Sequence, residues 1–109
     1  MSAVRVCATG EVATGAVVAV EADGVPVAVV HADDGTFYAV HDECSHERIA
    51  LSEGEVDGCT LECWLHGSRF DLRTGKPTGL PATEPVKTYP VEIHDGDVYV
   101  TLTSSNGVS

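Results

Sequence analysis

Two short segments carry the residue types of metal chemistry. They are Cys44-Ser45-His46 and Cys63-Trp64-Leu65-His66-Gly67-Ser68, with sixteen residues between His46 and Cys63. Each supplies one thiolate and one imidazole from a single tight turn. Two soft sulfur donors and two imidazoles suit Zn²⁺ or a binuclear iron–sulfur cluster with mixed ligation. A mononuclear structural zinc site usually joins a Cys-x(2–4)-Cys half to a His-x(3–5)-His half. Here both halves are mixed, so the thiolates can take one iron and the imidazoles the other. Such a site needs a scaffold that holds two turns against each other.

The composition provides for a β scaffold. In 109 residues, apolar types make up 43%, with Val prominent and Gly punctuating the runs. Val-rich, Gly-punctuated sequence favours strands, and no window has a sustained 3.6-residue period. The expected class is all-β, in one domain spanning 1–109, with about eight to ten short strands. The net charge is −11, from 17 acidic and 6 basic residues. Nucleic acid and anionic membranes both call for a basic face, so neither is an expected partner. The acidity fits steering toward a basic protein partner, or simply solubility. The first residues, Met1-Ser2-Ala3-Val4-Arg5, have no signal-peptide pattern, and the apolar run 16–20 is too short to span a membrane. The expected compartment is the cytoplasm, where four cysteines serve as thiols or metal ligands.

Taken in order, residues 3–8 alternate as a strand, and 10–15 form a turn region. Runs 16–21 and 25–31 flank Ala22-Asp23-Gly24, an Asp-Gly hairpin signal. Asp33-Asp34-Gly35 turns the chain into a strand over 36–40, which leads to Cys44. Between the ligand pairs, 55–56 and 59–62 make a hairpin turning at Asp57-Gly58, which returns the chain at Cys63 toward Cys44. A short strand over 69–72 and a turn at Thr74-Gly75 follow. Pro77, Pro81 and Pro85 make 76–85 a loop or covering flap. Strands over 87–93 and 98–103, joined through His94-Asp95-Gly96-Asp97, precede a tail over 104–109.

With these features in place, Cys44-x-His46 … Cys63-x-x-His66 resembles the Rieske [2Fe–2S] motif. The flanks agree: Phe37-Tyr38-Ala39-Val40 before the first pair, Leu51 and Gly54 after it, and Gly67, Phe70-Asp71 and Thr74-Gly75 after the second. Pro81-Ala82-Thr83-Glu84-Pro85 resembles the proline-containing loop that covers the cluster in that family. The resemblance implies a Rieske-type fold of antiparallel sheets with a small cluster-binding subdomain, about 43–75. It implies that Cys44 and Cys63 bind the inner iron, and His46 and His66 the outer one. Among subfamilies the chain is most similar to small soluble Rieske ferredoxins, which carry single electrons from a reductase to a Rieske-type oxygenase. By that resemblance it is an electron carrier, a component of an oxygenase system, with no catalytic residues of its own. Other readings are a small subunit of another redox system such as nitrite reductase, an iron–sulfur assembly factor, or a structural zinc module.

The chain departs from the family at Trp64, where Pro is usual; the indole either covers the cluster or forms part of a docking surface. High-potential relatives carry a disulfide between the loops at the positions of Ile49 and Leu65, and a Tyr hydroxyl at the position of Phe70. None of those groups is present here, so the resemblance implies a low-potential cluster. Gly67 and Ser68 are placed to donate hydrogen bonds to cluster sulfurs, or to serve as ordinary turn residues. Cys7 and Cys59 read as small core residues. His31 and His94 read as surface or hydrogen-bonding residues, as does His41, which is also near enough to support the site.

Overall fold

The computed structural model describes residues 3–43, 50–62, 69–78 and 85–102. Among them it has ten strands, two single 3₁₀ turns (Thr9–Glu11 and Leu51–Glu53) and no α-helix. The strands are β1 (Val4–Ala8), β2 (Ala16–Ala22), β3 (Val25–His31), β4 (Phe37–His41), β5 (Glu55–Asp57), β6 (Thr60–Glu62), β7 (Arg69–Asp71), β8 (Thr88–Tyr89), β9 (Val91–His94) and β10 (Asp97–Val100). They form three antiparallel sheets, in the orders β2-β3-β4-β8, β1-β10-β9 and β5-β6-β7.

Strand β3 explains the layering. Its residues Val27, Ala28, Val29 and Val30 are all fully buried, so the run is apolar without alternation. Successive side chains point to opposite faces, and both faces are covered. Val27 and Val29 pack with Cys7, Ala39, Tyr89, Val98 and Val100, in the core enclosed by the two larger sheets. Ala28 and Val30 pack with Val40, Leu51, Leu61, Phe70 and Leu72, beneath the small β5-β6-β7 sheet. Full burial of side chains such as Leu51, Leu61 and Phe70 stabilises by about 1.5–3 kcal/mol each. The small sheet is thereby anchored on the larger one.

Local turn chemistry sets two of the hairpins. Asp23-Gly24 and Asp95-Gly96 both have positive φ at each position (51° and 84°; 51° and 79°). That is the type I′ pattern, in which Asp-Gly is strongly preferred. The hairpin between the two Cys/His pairs differs from expectation by one residue. Asp57 pairs with Thr60, so the central residues are Gly58 and Cys59. Only Gly58 has positive φ (59°), the pattern of a type II′ turn. Asp57 stays in the ladder, where its carboxylate meets Arg69 across the sheet at 3.2 Å.

The expected strand over 87–93 is two strands. Pro90 has no N–H to donate, and at Pro90 the chain passes from β8 in one sheet to β9 in another. The pairing of β4 runs to His41, one residue beyond the expected end. The last strand ends at Val100, before the expected 103. Residues 79–84 of the proline-rich segment and the tail over 103–109 lie outside the described residues.

Candidate metal centre

The four expected ligands, Cys44, His46, Cys63 and His66, lie outside the described residues, as do Ile49, Trp64, Leu65, Gly67 and Ser68. The structure describes the supports from which those two segments spring.

The first segment leaves β4 at His41 and returns at Ala50. The three residues before Cys44 are tied down in turn. The His41 N–H donates to the Lys87 carbonyl (2.9 Å), Asp42 N–H to the Pro26 carbonyl (3.1 Å), and Glu43 N–H to the His41 carbonyl (2.8 Å). The Asp42 carboxylate then reaches across the base of the loop. It accepts the Ser52 N–H at one oxygen (2.7 Å) and the Ser52 hydroxyl at the other (2.8 Å). Ser52 sits in the 3₁₀ turn closed by Gly54 N–H to the Leu51 carbonyl (2.9 Å), and Leu51 fixes that turn in the core.

The second segment is the loop of the β6–β7 hairpin. Glu62 and Arg69 are direct cross-strand partners, so the chain is paired on both sides of residues 63–68. Arg69 also faces Asp57 at 3.2 Å and Glu62 at 3.7 Å. These exposed pairs are worth little as stability, but they orient the strand ends. The Arg69 carbonyl accepts from Thr78 N–H at 2.7 Å, and Pro77 bridges to Phe70. The start of the proline-rich segment therefore lies alongside β7.

The two loop bases meet at Gly54. A Cβ built there would fall inside the Glu62 carbonyl oxygen, so only glycine permits this approach. The exit of the first loop is thus pressed against the residue preceding Cys63. Close loop bases suit a centre that draws two ligands from each loop. The donor set, two thiolates and two imidazoles, fits a Rieske-type [2Fe–2S] group.

The remaining sequence candidates divide clearly. Cys7 is buried in the core, and burial pushes its thiol up. Cys59 is half-buried and donates to the Asp34 carboxylate at 3.5 Å. That carboxylate also accepts the Thr36 N–H (2.9 Å) and the Tyr38 hydroxyl (3.3 Å). The Thr36 bond is the main reason it is held below the usual carboxylate range, and the Cys59 and Tyr38 bonds add to it. Tyr38 is pushed up, chiefly by burial and then by the Asp34 charge. His31 stacks on Phe37 and places Nδ1 3.0 Å from the Val12 carbonyl. His94 is exposed beside Glu92 at 3.2 Å. His41 Nδ1 lies 3.4 Å from the Tyr89 hydroxyl, and burial pushes that phenol up. His41 is thus tied to β8 through Tyr89, three residues before Cys44. Among the described residues no group of three or more His, Cys, Asp or Glu side chains could hold a metal ion.

Sequence reasoning did not single out Asp42 or Ser52. The available signal was an Asp two residues before Cys44 and a Ser just after the loop, both common partners of backbone N–H groups at loop ends.

The Rieske [2Fe-2S] domain profile matches residues 2–90. The chain belongs to the Rieske [2Fe–2S] family. It is 47% identical over 103 residues to the 3-phenylpropionate/cinnamic acid dioxygenase ferredoxin subunit of Photorhabdus laumondii, covering 94% of this chain and 96% of that one. The ferredoxin of carbazole 1,9a-dioxygenase from Nocardioides aromaticivorans IC177 superposes with a TM-score of 0.86 at 36% identity, over 92% of this chain and 97% of that one. A chain in the complex of reduced oxygenase and oxidized ferredoxin in carbazole 1,9a-dioxygenase gives 0.87 at 38% identity, over 94% and 95%. This Rieske protein is a ferredoxin. It carries a [2Fe–2S] cluster and is an electron carrier rather than an enzyme in its own right. The similarity to ferredoxin subunits favours this reading over the nitrite-reductase-subunit, assembly-factor and zinc-module readings.

Proposed function

We propose that residues 1–109 form one domain in which Cys44 and Cys63 hold one iron of the cluster and His46 and His66 the other. The domain passes single electrons, in the cytoplasm, from a reductase to a Rieske-type terminal oxygenase of the kind its relatives serve. When bound, the cluster supplies a one-electron couple and nothing else. The chain's part is to hold the ligand loops so that they move little between oxidation states, and to bring the imidazole end to its partners. The observation that supports the ligand assignment best is the junction of Gly54 with the Glu62 carbonyl, because it brings the bases of the loops bearing the two Cys/His pairs together.

The test is metal and sulfide analysis of anaerobically purified protein, together with ligand variants. About two irons and two acid-labile sulfides per chain are expected from the [2Fe–2S] composition. His46→Ala and His66→Ala should each abolish the native visible spectrum, while His31→Ala and His94→Ala leave it intact. Zinc without sulfide would overturn the assignment.

A further inference from the structure

We propose that Asp42 is a positioning residue of the cluster: its carboxylate closes the first ligand loop, and its negative charge, held there by Ser52, lowers the reduction potential. Asp42 stands where three constraints converge. Its N–H is bound to the Pro26 carbonyl of β3 at 3.1 Å, so its backbone belongs to the large sheet. Its side chain crosses to Ser52 on the far side of the loop, with both oxygens engaged at 2.7 and 2.8 Å. Ser52 is two residues from Gly54, which abuts the Glu62 carbonyl beside Cys63. A single side chain therefore joins the start of the first ligand loop, through the 3₁₀ turn, to the start of the second.

Both oxygens accept from Ser52, so the position of this half-buried carboxylate is fixed. Chain connectivity keeps Asp42 near the first Cys/His pair. Two residues of chain span at most about 7 Å, which bounds the separation of the Asp42 and Cys44 Cα atoms. Reduction adds a negative charge to the cluster, and a nearby fixed anion opposes it. The same group thus has two separable effects: its hydrogen bonds set the loop, and its charge sets the ease of reduction.

The inference rests on Cys44 and His46 being ligands, and the experiment keeps the two questions apart. Holoprotein of the wild type, Asp42→Asn, Asp42→Ala and Ser52→Ala is compared by protein-film voltammetry and by the rate of cluster loss to a chelator. Asn keeps the shape, accepts the Ser52 N–H and can donate to the Ser52 hydroxyl, but removes the charge. It should raise the midpoint enough to increase the reduced-to-oxidised ratio at fixed applied potential about fivefold or more, with cluster lifetime near wild type. Ser52→Ala keeps the charge and removes one hydrogen bond. It should leave the midpoint near wild type and speed cluster loss about threefold to tenfold. Asp42→Ala should show both effects, and if it fails to fold the other two variants still decide. An Asp42→Asn midpoint at or below wild type overturns the effect of charge, and a wild-type rate of cluster loss in Ser52→Ala overturns the clasp. A wrong ligand assignment would appear differently, as a native visible spectrum that survives His46→Ala in protein whose Asp42 is unchanged.

Discussion

Replacing Gly54 by Ala should break the junction of the two ligand loops, and the structure sets the size of the effect. The backbone at Gly54 has φ −87° and ψ −165°, which alanine adopts without strain. At such a position glycine-to-alanine alone would stabilise by about 0.4–1 kcal/mol, through the unfolded chain. The new Cβ, however, would fall inside the Glu62 carbonyl oxygen and within 3.2 Å of the Leu51 carbonyl oxygen. Both neighbours are backbone, so no side chain can swing aside. Either the 3₁₀ turn leaves its core position under Leu51, or β6 retreats and takes Cys63 with it. Overpacking ordinarily costs about 1–3 kcal/mol, occasionally more, and a collision between backbones belongs at the upper end, about 3 kcal/mol net. For a domain of this size that lowers the melting temperature by roughly 10–20 °C. Thermal unfolding of holoprotein, followed by circular dichroism and by visible absorbance, reads both the stability and the cluster content. Gly10→Ala is the control, because nothing lies within 4 Å of its added Cβ; it should change stability by no more than about 1 kcal/mol. A Gly54→Ala protein that keeps its full cluster and melts within about 2 °C of wild type, well inside the shift one kcal/mol produces, would refute the reasoning.

Other outcomes follow from the same geometry. The Asp34 carboxylate is held below its usual range, so its contribution is present above the unfolded Asp value, about pH 4, and is lost as pH falls through the lower folded value. Asp34→Asn should flatten the acid limb of stability below about pH 4, measured by urea unfolding across pH; an unchanged limb would remove Asp34 from the account. Tyr89 shifts the other way, raised by burial, so its contribution is full below about pH 10 and lost as pH rises past it. Tyr89→Phe should shrink the alkaline loss in the same titration. The −11 charge should make electron transfer with a basic partner slow as ionic strength rises, and a stopped-flow rate that is constant or increases would exclude steering. Finally, Ile49 and Leu65 offer no inter-loop disulfide, and Phe70, fully in the core at 1% exposure, has no hydroxyl to donate. The midpoint should lie toward the low end of the roughly −150 to +300 mV Rieske range; one above about +150 mV on that scale would contradict the ferredoxin assignment.

Where the determinants are local, the sequence was legible. Asp23-Gly24 and Asp95-Gly96 each encode their own turn, because few residues besides Gly, Asn and Asp accept two consecutive positive φ values. The Val-rich runs that became β2 and β3 needed only their composition. The spacing of Cys44, His46, Cys63 and His66 led to the family without any structure. Nonlocal determinants were harder to see. Pro90 fell inside one expected strand, and only the placement of β8 and β9 in different sheets shows it as a crossing point. The turn at Gly58-Cys59 depends on Asp57 staying in the ladder opposite Thr60, a choice made between strands. Asp42 and Ser52 are ten residues apart on no periodic element, so their pairing has no one-dimensional signature. Gly54 was noticed as part of a motif, but its reason, the carbonyl of Glu62, exists only in three dimensions.

The ligand set is the central claim, and it has a direct spectroscopic test. Protein grown with ¹⁵N-histidine and reduced by one electron should be examined by electron–nuclear double resonance. The account predicts strong couplings from two histidine nitrogens bound to one iron, with the native signal lost in both His46→Ala and His66→Ala. A reduced cluster with no directly bound histidine nitrogen, or native couplings that survive either substitution, would contradict it.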